Sequence, residues 1–549
     1  MKPEKFAAQK DPRAQATIAR WHELKTYRTP HEAMWEDIAR LIRPQRGGFG
    51  TDRPDARHHE KPLSSAPIQA HGAFAAGIYS AITNPATSWG ALTTPDEDLN
   101  RWPPFAEWLD RQSRKIRNSF SPARSSFYSQ TYQAYGDIAA FGNAACYDEL
   151  DMVERRWNDV TLSLAEVVVD IDFHGRVVEA VRRFRLTPVQ AARRFGQAAL
   201  PEKVQEALTK PGTDKHVYFQ HVQKNDEFTP GRLGPKGKRW VSWFVCEEAE
   251  TLLTEKGYDE MPFYYPRWDV DSGHAYGTGP GFIALASARV NHRMEEATLR
   301  AAQRAADPVK LAPDRNVIPL NGTWRPGGTV YGAMAPNGQR LVQTEDFNGN
   351  IGLTDEMRRA KIEEVKDAFY YSVMSLTGRT GISDDENRVI EEARLRNWAP
   401  HADRIMEEYA ARKFERRYGQ LFRAGQIDPV PEGTPGSAQL QIRYTSAAAM
   451  AQRAAEAQAV RQYVGDLLPV MQIKPELRHR LSADDFAEIL HEANVAIPQR
   501  LLVPREVAQQ AIEAEAQAQQ QAQMLDMAQQ GGAALRDVAQ AAGMGEGGQ

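Results

Sequence analysis

Asp170 and Asp172 are two apart in a β-rich run, so both carboxylates fall on one strand face, the arrangement a general acid and base require. They also border the His174-Gly175 turn, where solvated aspartates are ordinary. Asp384-Asp385-Glu386 offers the oxygen ligands of a divalent ion, yet it stands at a predicted helix start, where acids suit the positive end of the helix dipole. His58-His59 has no Asp, Glu or Cys at ligand spacing to support a metal. The loop from Thr229 to Lys238 holds Gly231, Gly234 and Gly237 among several Lys and Arg. It lacks phosphate-loop spacing, because Arg239 stands where a hydroxyl is needed, and it reads as a hairpin tip. Gly277-x-Gly279-x-Gly281 misses the G-x-G-x-x-G spacing and reads as a turn before a helix. Phe127, Tyr128, Tyr132, Tyr135 and Ile138 recur at helical spacing. Such a stripe can stack bases, but core packing is its commoner use. There is no H-E-x-x-H, C-x-x-C, G-x-S-x-G or Walker loop. We expect no catalytic residue, no cofactor and no metal.

The bulk properties narrow the classes further. A chain of 549 residues holds two to four domains, and 42% hydrophobic with 26% charged residues is ordinary for a folded soluble protein. A net charge of −4 argues against gripping nucleic acid through one large basic face, while remaining compatible with letting DNA slide past. Cys146 and Cys246 are far apart without metal-like spacing, so two structural thiols in a reduced compartment are expected. MKPEKFAAQKDP has no apolar core for a signal peptide, and no run of about 18 apolar residues exists to span a membrane.

The chain is organised around residues 281 to 425. Phe282, Ala286, Val290, Met294, Ala297 and Ala301 mark a helix from Gly281, stopped by Asp307-Pro308. A second helix is predicted from Thr354, its cap, to Leu376, with Ile362, Val365, Phe369, Val373 and Leu376 on one face. At 1.5 Å per residue each spans roughly 35–40 Å, so they read as antiparallel legs. Between them Pro308–Leu353 is rich in Gly, Pro and Asn, with short β-like runs at Val309–Leu311, Thr329–Tyr331 and Leu341–Gln343. Thr377-Gly378-Arg379-Thr380-Gly381 is a polar loop, and Ser383-x-x-Glu386 opens a long helix that Pro400 should kink.

Upstream, residues 13 to 43 read as a helical hairpin, with Thr29-Pro30-His31-Glu32 capping its second helix. Ile68–Ile82 is a helix closed by Asn84-Pro85. Strands are expected at Thr161–Phe173, Val177–Leu186, Val217–Val222, Arg239–Cys246 and Gly257–Tyr265, with Gln439–Tyr444 near the end. An Ala-rich helix follows from Ala447 to Leu468, a short one at Asp484–Ala493, and a last one, rich in Ala, Gln and Glu, from Pro504 to Ala528. That last segment has high helix propensity but a weak apolar stripe, and the tail Gly543–Gln549 reads as disordered.

Several of these stretches together resemble the head-to-tail connector, or portal, proteins of short-tailed bacteriophages. Met34–Pro44 with Arg46-Gly47-Gly48-Phe49 is similar to the family's "I-x-P-x-R-G-x-F" opening. Ala73–Asn84-Pro85 to Trp89 is similar to "A-x-G-I-x-S-x-L-T-x-P-x-x-x-W", with Ile82 in the leucine place. Phe127 to Phe141-Gly142 follows in order, then Pro262–Pro280 with its "R-W … Y-G-x-x-P" pattern, then Ile442–Ser446 with Ala451-Gln452 for "Y-T-S-x-x-A-x-A-Q". Where the family has "T-A-T-E-V", this chain has Ile382-Ser383-Asp384-Asp385-Glu386-Asn387, so the loop–helix boundary departs from the pattern. The resemblance covers most of residues 30 to 510.

The resemblance implies a mainly helical α+β portal fold. Residues 1–280 would be an N-terminal wing, 281–306 the first stem helix, 307–353 the clip, 354–376 the second stem helix and 377–382 a channel loop. Residues 383–446 would form the long kinked wing helix and a return strand, and 447–549 the crown and C-terminal barrel. It implies a homo-oligomeric ring, usually of twelve subunits, at one capsid vertex, with double-stranded DNA passing through in packaging and ejection. Implied partners are a terminase packaging motor, the major capsid and scaffolding proteins, and tail adaptor or head-completion proteins. Assembly would occur in the host cytoplasm. Candidate DNA-facing residues are Arg379 and Thr380 in the loop and Arg293, Arg300, Arg304, Arg358 and Arg359 on the stem. Salt bridging between helices is the rival use of the stem arginines. The rival classes are another virion protein, such as a tail tube or internal core protein, and an enzyme with an unrecognised site.

Overall fold

The structure is a computed structural model that describes residues 10–53, 62–86, 88–209, 214–306, 310–311, 334–344, 351–371, 400–436 and 439–444, with short helical stretches between 459 and 520. In chain order the helices are α1 (Pro12–Leu41), α2 (Ala66–Ile82), α3 (Glu97–Arg101), α4 (Pro103–Ser119), α5 (Phe127–Phe141), α6 (Pro188–Phe195), α7 (Glu202–Leu208), α8 (Pro280–Ala306), α9 (Ile351–Ala368) and α10 (Arg412–Arg423). The strands are β1 (Gly90–Thr93), β2 (Ala145–Asp151), β3 (Arg156–Leu162), β4 (Val167–Ile171), β5 (Val177–Leu186), β6 (His216–Lys224), β7 (Trp240–Cys246), β8 (Thr251–Tyr258), β9 (Phe263–Tyr264), β10 (Lys310–Leu311), β11 (Gln343–Thr344) and β12 (Gln441–Tyr444). The class is mixed α and β, and the chain divides into two units, Met1–Trp89 with Ile116–Arg423, and Gly90–Lys115 with Ala424–Gln549.

In the first unit an antiparallel sheet runs in the order β4-β5-β6-β7-β8. Alternation puts Val168, Val181, Phe219 and Val245 on one face, where Ala14, Trp21 and Leu24 of α1 cover them. Tyr218 and Cys246 point the other way, against Ala191 of α6 and Val204 of α7. Thr187 caps α6 in a full capping box with Gln190. A smaller sheet, β3-β2-β9, lies beside α5 and α10. The His174-Gly175 turn joins β4 to β5, with Gly175 at φ 75°. Both cysteines are buried free thiols. In the second unit β1 pairs antiparallel with β12, and the Asp428 carboxylate accepts from Gln112 and Lys115.

Several expectations are corrected. Residues 13 to 43 are one helix, not a hairpin: α1 runs through Pro30, and Asp11, not Thr29, caps it by accepting from the Arg13 N–H at 2.8 Å. Its buried face is continuous across the proline, from Trp21 and Leu24 through Arg28 and Glu32 to Trp35 and Ile38. That burial outweighs a proline penalty of about 3 kcal/mol. The run Thr161–Phe173 is two strands in two sheets, because Ser163 caps a 3-10 turn over Leu164–Glu166. Gly257–Tyr265 likewise divides between β8 and β9, with residues 259–262 between them. Tyr132 of the aromatic stripe is 44% exposed, while Phe127, Tyr135 and Ile138 are buried. The second leg starts at Ile351, so Thr354 lies inside it; α9 ends at Ala368, Tyr370 turns the chain at φ 51°, Tyr371 is helical again, and residues 372–376 lie outside the described residues. The helix that follows residue 400 contains a π-helical turn at Met406–Ala411, which no proline marks. His58-His59, Thr329–Tyr331, the loop at 377–381, Ser383–Glu386 and most of 447–549 lie outside the described residues.

Candidate functional site

The two legs are α8 and α9. Ser287 donates to Glu364 at 2.6 Å and Arg358 donates to Glu295 at 3.2 Å, so position falls on one helix as it rises on the other, and the pair is antiparallel. The buried residues of α8 end at Asn291: Pro280, Gly281, Ala284, Leu285 and Ala288 root the helix, and its outer half is more open. At the root, Arg289 pairs with Asp37 of α1. Val365 of α9 and Phe369, just past its end, are fully buried.

The glycines before α8 have a packing role that spacing alone did not reveal. A Cβ on Gly279 would lie 2.8 Å from the Gly142 Cα, and one on Gly142, at φ 71°, would lie 2.3 Å from the Thr278 carbonyl carbon. The two backbones cross where α5 ends, and the buried Asn143 side chain seals the crossing. It accepts from the Gly277 N–H at 2.7 Å and donates to the Gly277 and Phe141 carbonyls, each at 2.8 Å.

The candidate arginines on the two legs separate by environment. Arg358 is committed: it donates to Asp355 at 2.6 Å on its own helix and to Glu295 across the legs. Arg359 is 76% exposed with Asp355 at 2.9 Å, and Arg300 is 76% exposed with Glu296 at 2.5 Å. Such exposed pairs are worth no more than about 1 kcal/mol. Arg293 is exposed and has no ion-pair partner among the described residues. Arg304 is exposed in the last turn of α8, where a cation suits the helix dipole. Arg293, Arg300 and Arg304 differ by seven and four positions, so they line one helix face over about 16 Å. Arg379 and Thr380 lie outside the described residues.

Helix α10 carries a buried charge cluster. Lys413 donates to Asp159 at 2.6 Å and lies 3.7 Å from Asp148; Arg416 pairs with Asp148 at 2.8 Å and Arg417 with Asp159 at 3.5 Å. Three cations face two carboxylates, all five nearly inaccessible. The surplus charge is spread over the Ser119 and Glu260 carbonyls and over aromatic faces, with Lys413 4.2 Å from the Tyr264 ring and Arg417 4.2 Å from Trp157. Burial pushes the Asp159 carboxyl up, but Lys413 and Arg417 outweigh it and hold the group below its usual range. The signal in sequence is the i+4 series Tyr409, Lys413, Arg417, Leu421, which sets two cations within an apolar stripe.

Among the described residues, the carboxylates singled out from the sequence are occupied. Asp170 pairs with Arg20, and Asp172 accepts from the His174 and Arg176 N–H groups within the turn. Thr17, His221 and Glu179 have the order of a nucleophile, base and orienting acid: Thr17 Oγ1 is 3.3 Å from His221 Nδ1, and His221 Nε2 is 2.6 Å from Glu179. Thr17 is fully buried, however, and its hydroxyl already donates to the Arg13 carbonyl and accepts from Trp243 Nε1. The constellation fastens α1 to the sheet. Among the described residues no acid, His and Cys cluster could hold a metal, and no helix is long and apolar enough to cross a membrane.

The family model for the bacteriophage head to tail connecting protein matches residues 14–502. The chain belongs to that family. This connector is 27% identical over 508 residues to the "Probable portal protein" of Bordetella phage BPP-1, covering 89% of this chain and 88% of the relative. It is 25% identical over 525 residues to the "Portal protein" of Salmonella phage epsilon15, covering 92% of each. Among solved structures, it is similar to a chain from the neck of an empty gene transfer agent particle (12% identity, TM-score 0.38, 77% of this chain and 90% of that one). It is also similar to a chain of the native gene transfer agent virion (12% identity, TM-score 0.37, 78% of this chain and 92% of that one).

Proposed function

We propose that this connector works as a portal: a closed ring, of about twelve copies as in the family it resembles, at one vertex of the virion. Double-stranded DNA passes through it in packaging and ejection. The carrying observation is the family match across residues 14–502, which spans both legs and the strands and helices that root them. In this reading α8 and α9 are the stem, residues 307–353 the clip, 377–382 the channel loop, 383–446 the long wing helix with its return strand, and 447–549 the crown and barrel. The terminase motor docks at the clip and supplies the energy, and tail adaptor, capsid and scaffolding proteins bind the ring's other surfaces. The part played by this chain is mechanical.

Sliding requires weak contacts, because each phosphate neutralised adds affinity. The exposed row Arg293, Arg300 and Arg304, set in a chain of net charge −4, suits that demand, whereas Arg358 serves as a clamp between legs. Arg359, Arg379 and Thr380 complete the proposed DNA-facing set. Top views of the purified full-length protein by negative-stain electron microscopy test the reading. A closed ring of about a dozen copies with a central hole is expected; a monomer or dimer at assembly concentrations, or an open tube, would overturn it.

A further inference from the structure

The chain between residues 371 and 400 departs from and returns to one column of aromatic rings. At the departure, Tyr370 adopts a φ of 51°, a sparsely populated region for any residue with a side chain, and its ring stacks on Phe74 of α2 at 5.7 Å and 27°. Phe369, fully buried, meets the same Phe74 ring at 6.2 Å and His71 at 6.0 Å. Phe74 in turn stands edge-on to Trp268 at 5.4 Å. At the return, His401 stacks on Trp268 at 4.5 Å and 17°, with its Nδ1 3.1 Å from the Trp268 carbonyl oxygen. The two central rings are buried, Phe74 completely and Trp268 to 5% exposure.

We propose that Tyr370, Phe74, Trp268 and His401 form a mechanical joint, in which Phe74 and Trp268 are positioning residues that make the two feet of the intervening stretch shift together. Close-packed buried rings cannot yield at one end and stay in place at the other, so displacing Tyr370 is felt at His401 and the reverse. The left-handed turn at Tyr370 is held by the same stack, which makes the departure point depend on the column rather than on the end of α9. The inference rests on the portal reading for its use: with residues 377–382 lining the channel, contact with DNA there is passed to the wing helix through the joint.

Hydrogen exchange on purified full-length rings tests it. Tyr370→Ala is expected to speed amide exchange several-fold at residues 400–405, and His401→Ala at residues 366–371, because coupling between two sites is reciprocal. Tyr370→Phe keeps the ring and is expected to exchange like the parent at both feet. If each alanine variant loosens only its own foot, or if Tyr370→Phe loosens the distant one, the joint is overturned. Particles assembled with Tyr370→Ala rings are then expected to retain less genome. Full retention alongside reciprocal loosening would leave the joint standing and overturn the channel role of 377–382.

Discussion

Gly281, in the first turn of α8, lies so close to Ala140 of α5 that a Cβ on it would fall 2.1 Å from the Ala140 carbonyl oxygen. The obstacle is backbone inside a helix and cannot swing away as a side chain would. Gly281→Ala is therefore expected to destabilise the fold by about 3 kcal/mol, the upper end for an overpacked site. Thermal unfolding of the full-length protein checks this; an unchanged midpoint would contradict the close approach.

The charge cluster carried by α10 predicts an asymmetry. Removing a carboxylate leaves three cations for one anion, whereas removing Lys413 leaves Arg416 on Asp148 and Arg417 on Asp159. Asp159→Asn should cost about 3–5 kcal/mol, as expected when a buried pair loses one partner. Lys413→Met, which keeps much of the volume, should cost clearly less. Denaturant unfolding of the two variants decides it, and equal losses would refute the surplus-cation account.

Pro30 is exposed within a continuous helix and lacks the N–H that would bond the preceding turn. Pro30→Ala is expected to stabilise the protein by about 1–3 kcal/mol, since α1 is helical on both sides of it. A loss of stability would mean that the proline shapes α1 in a way the fold requires.

Acid should act early on the fastening of α1. Burial pushes the Glu179 carboxyl up, but hydrogen bonds from His221 and Arg20 outweigh it and hold the group at about 2. A carboxyl lowered on folding contributes stability that is complete above its unfolded value of about 4.5 and is lost as the pH falls from there toward 2. Glu179→Gln should flatten that part of the profile, read as the unfolding midpoint between pH 5 and pH 3. A profile as steep as the parent's would place the acid sensitivity elsewhere.

The arginine row makes a salt prediction. Replacing Arg293, Arg300 and Arg304 by Gln should leave ring formation intact and weaken binding of the ring to duplex DNA. The slope of log affinity against log salt should fall by about 0.9 for each phosphate no longer neutralised. Arg358→Gln should instead loosen the legs, lowering stability by no more than about 1 kcal/mol with little change in the salt slope. An unchanged slope for the triple variant would remove the row from the DNA-facing set.

Local pattern was enough for the features that depend on near neighbours. The His174-Gly175 hairpin, the first leg to within a residue and the membership of the connector family were all legible, because turns, helix stops and motif order are written in adjacent positions. Pro30 misled for the same reason: Thr-Pro-His-Glu is a sound local start signal, and only the burial of Arg28 and Glu32 against residues far along the chain keeps α1 unbroken. The glycines at 277, 279 and 281 looked like a turn because the backbone they admit is distant in sequence or on another element: Asp269 at Gly277, and α5 with its Gly142 cap at Gly279 and Gly281. That Arg358 has Glu295 of the other leg as an ion-pair partner was not legible from its neighbours in sequence. Neighbouring residues were thus sufficient to mark most segments as helix, strand or turn, and the order of motifs was sufficient to place the chain in its family. Which arginines are clamps, which glycines are points of close approach and which charges are buried emerged only in the folded chain, because each depends on residues brought together from distant parts of the sequence.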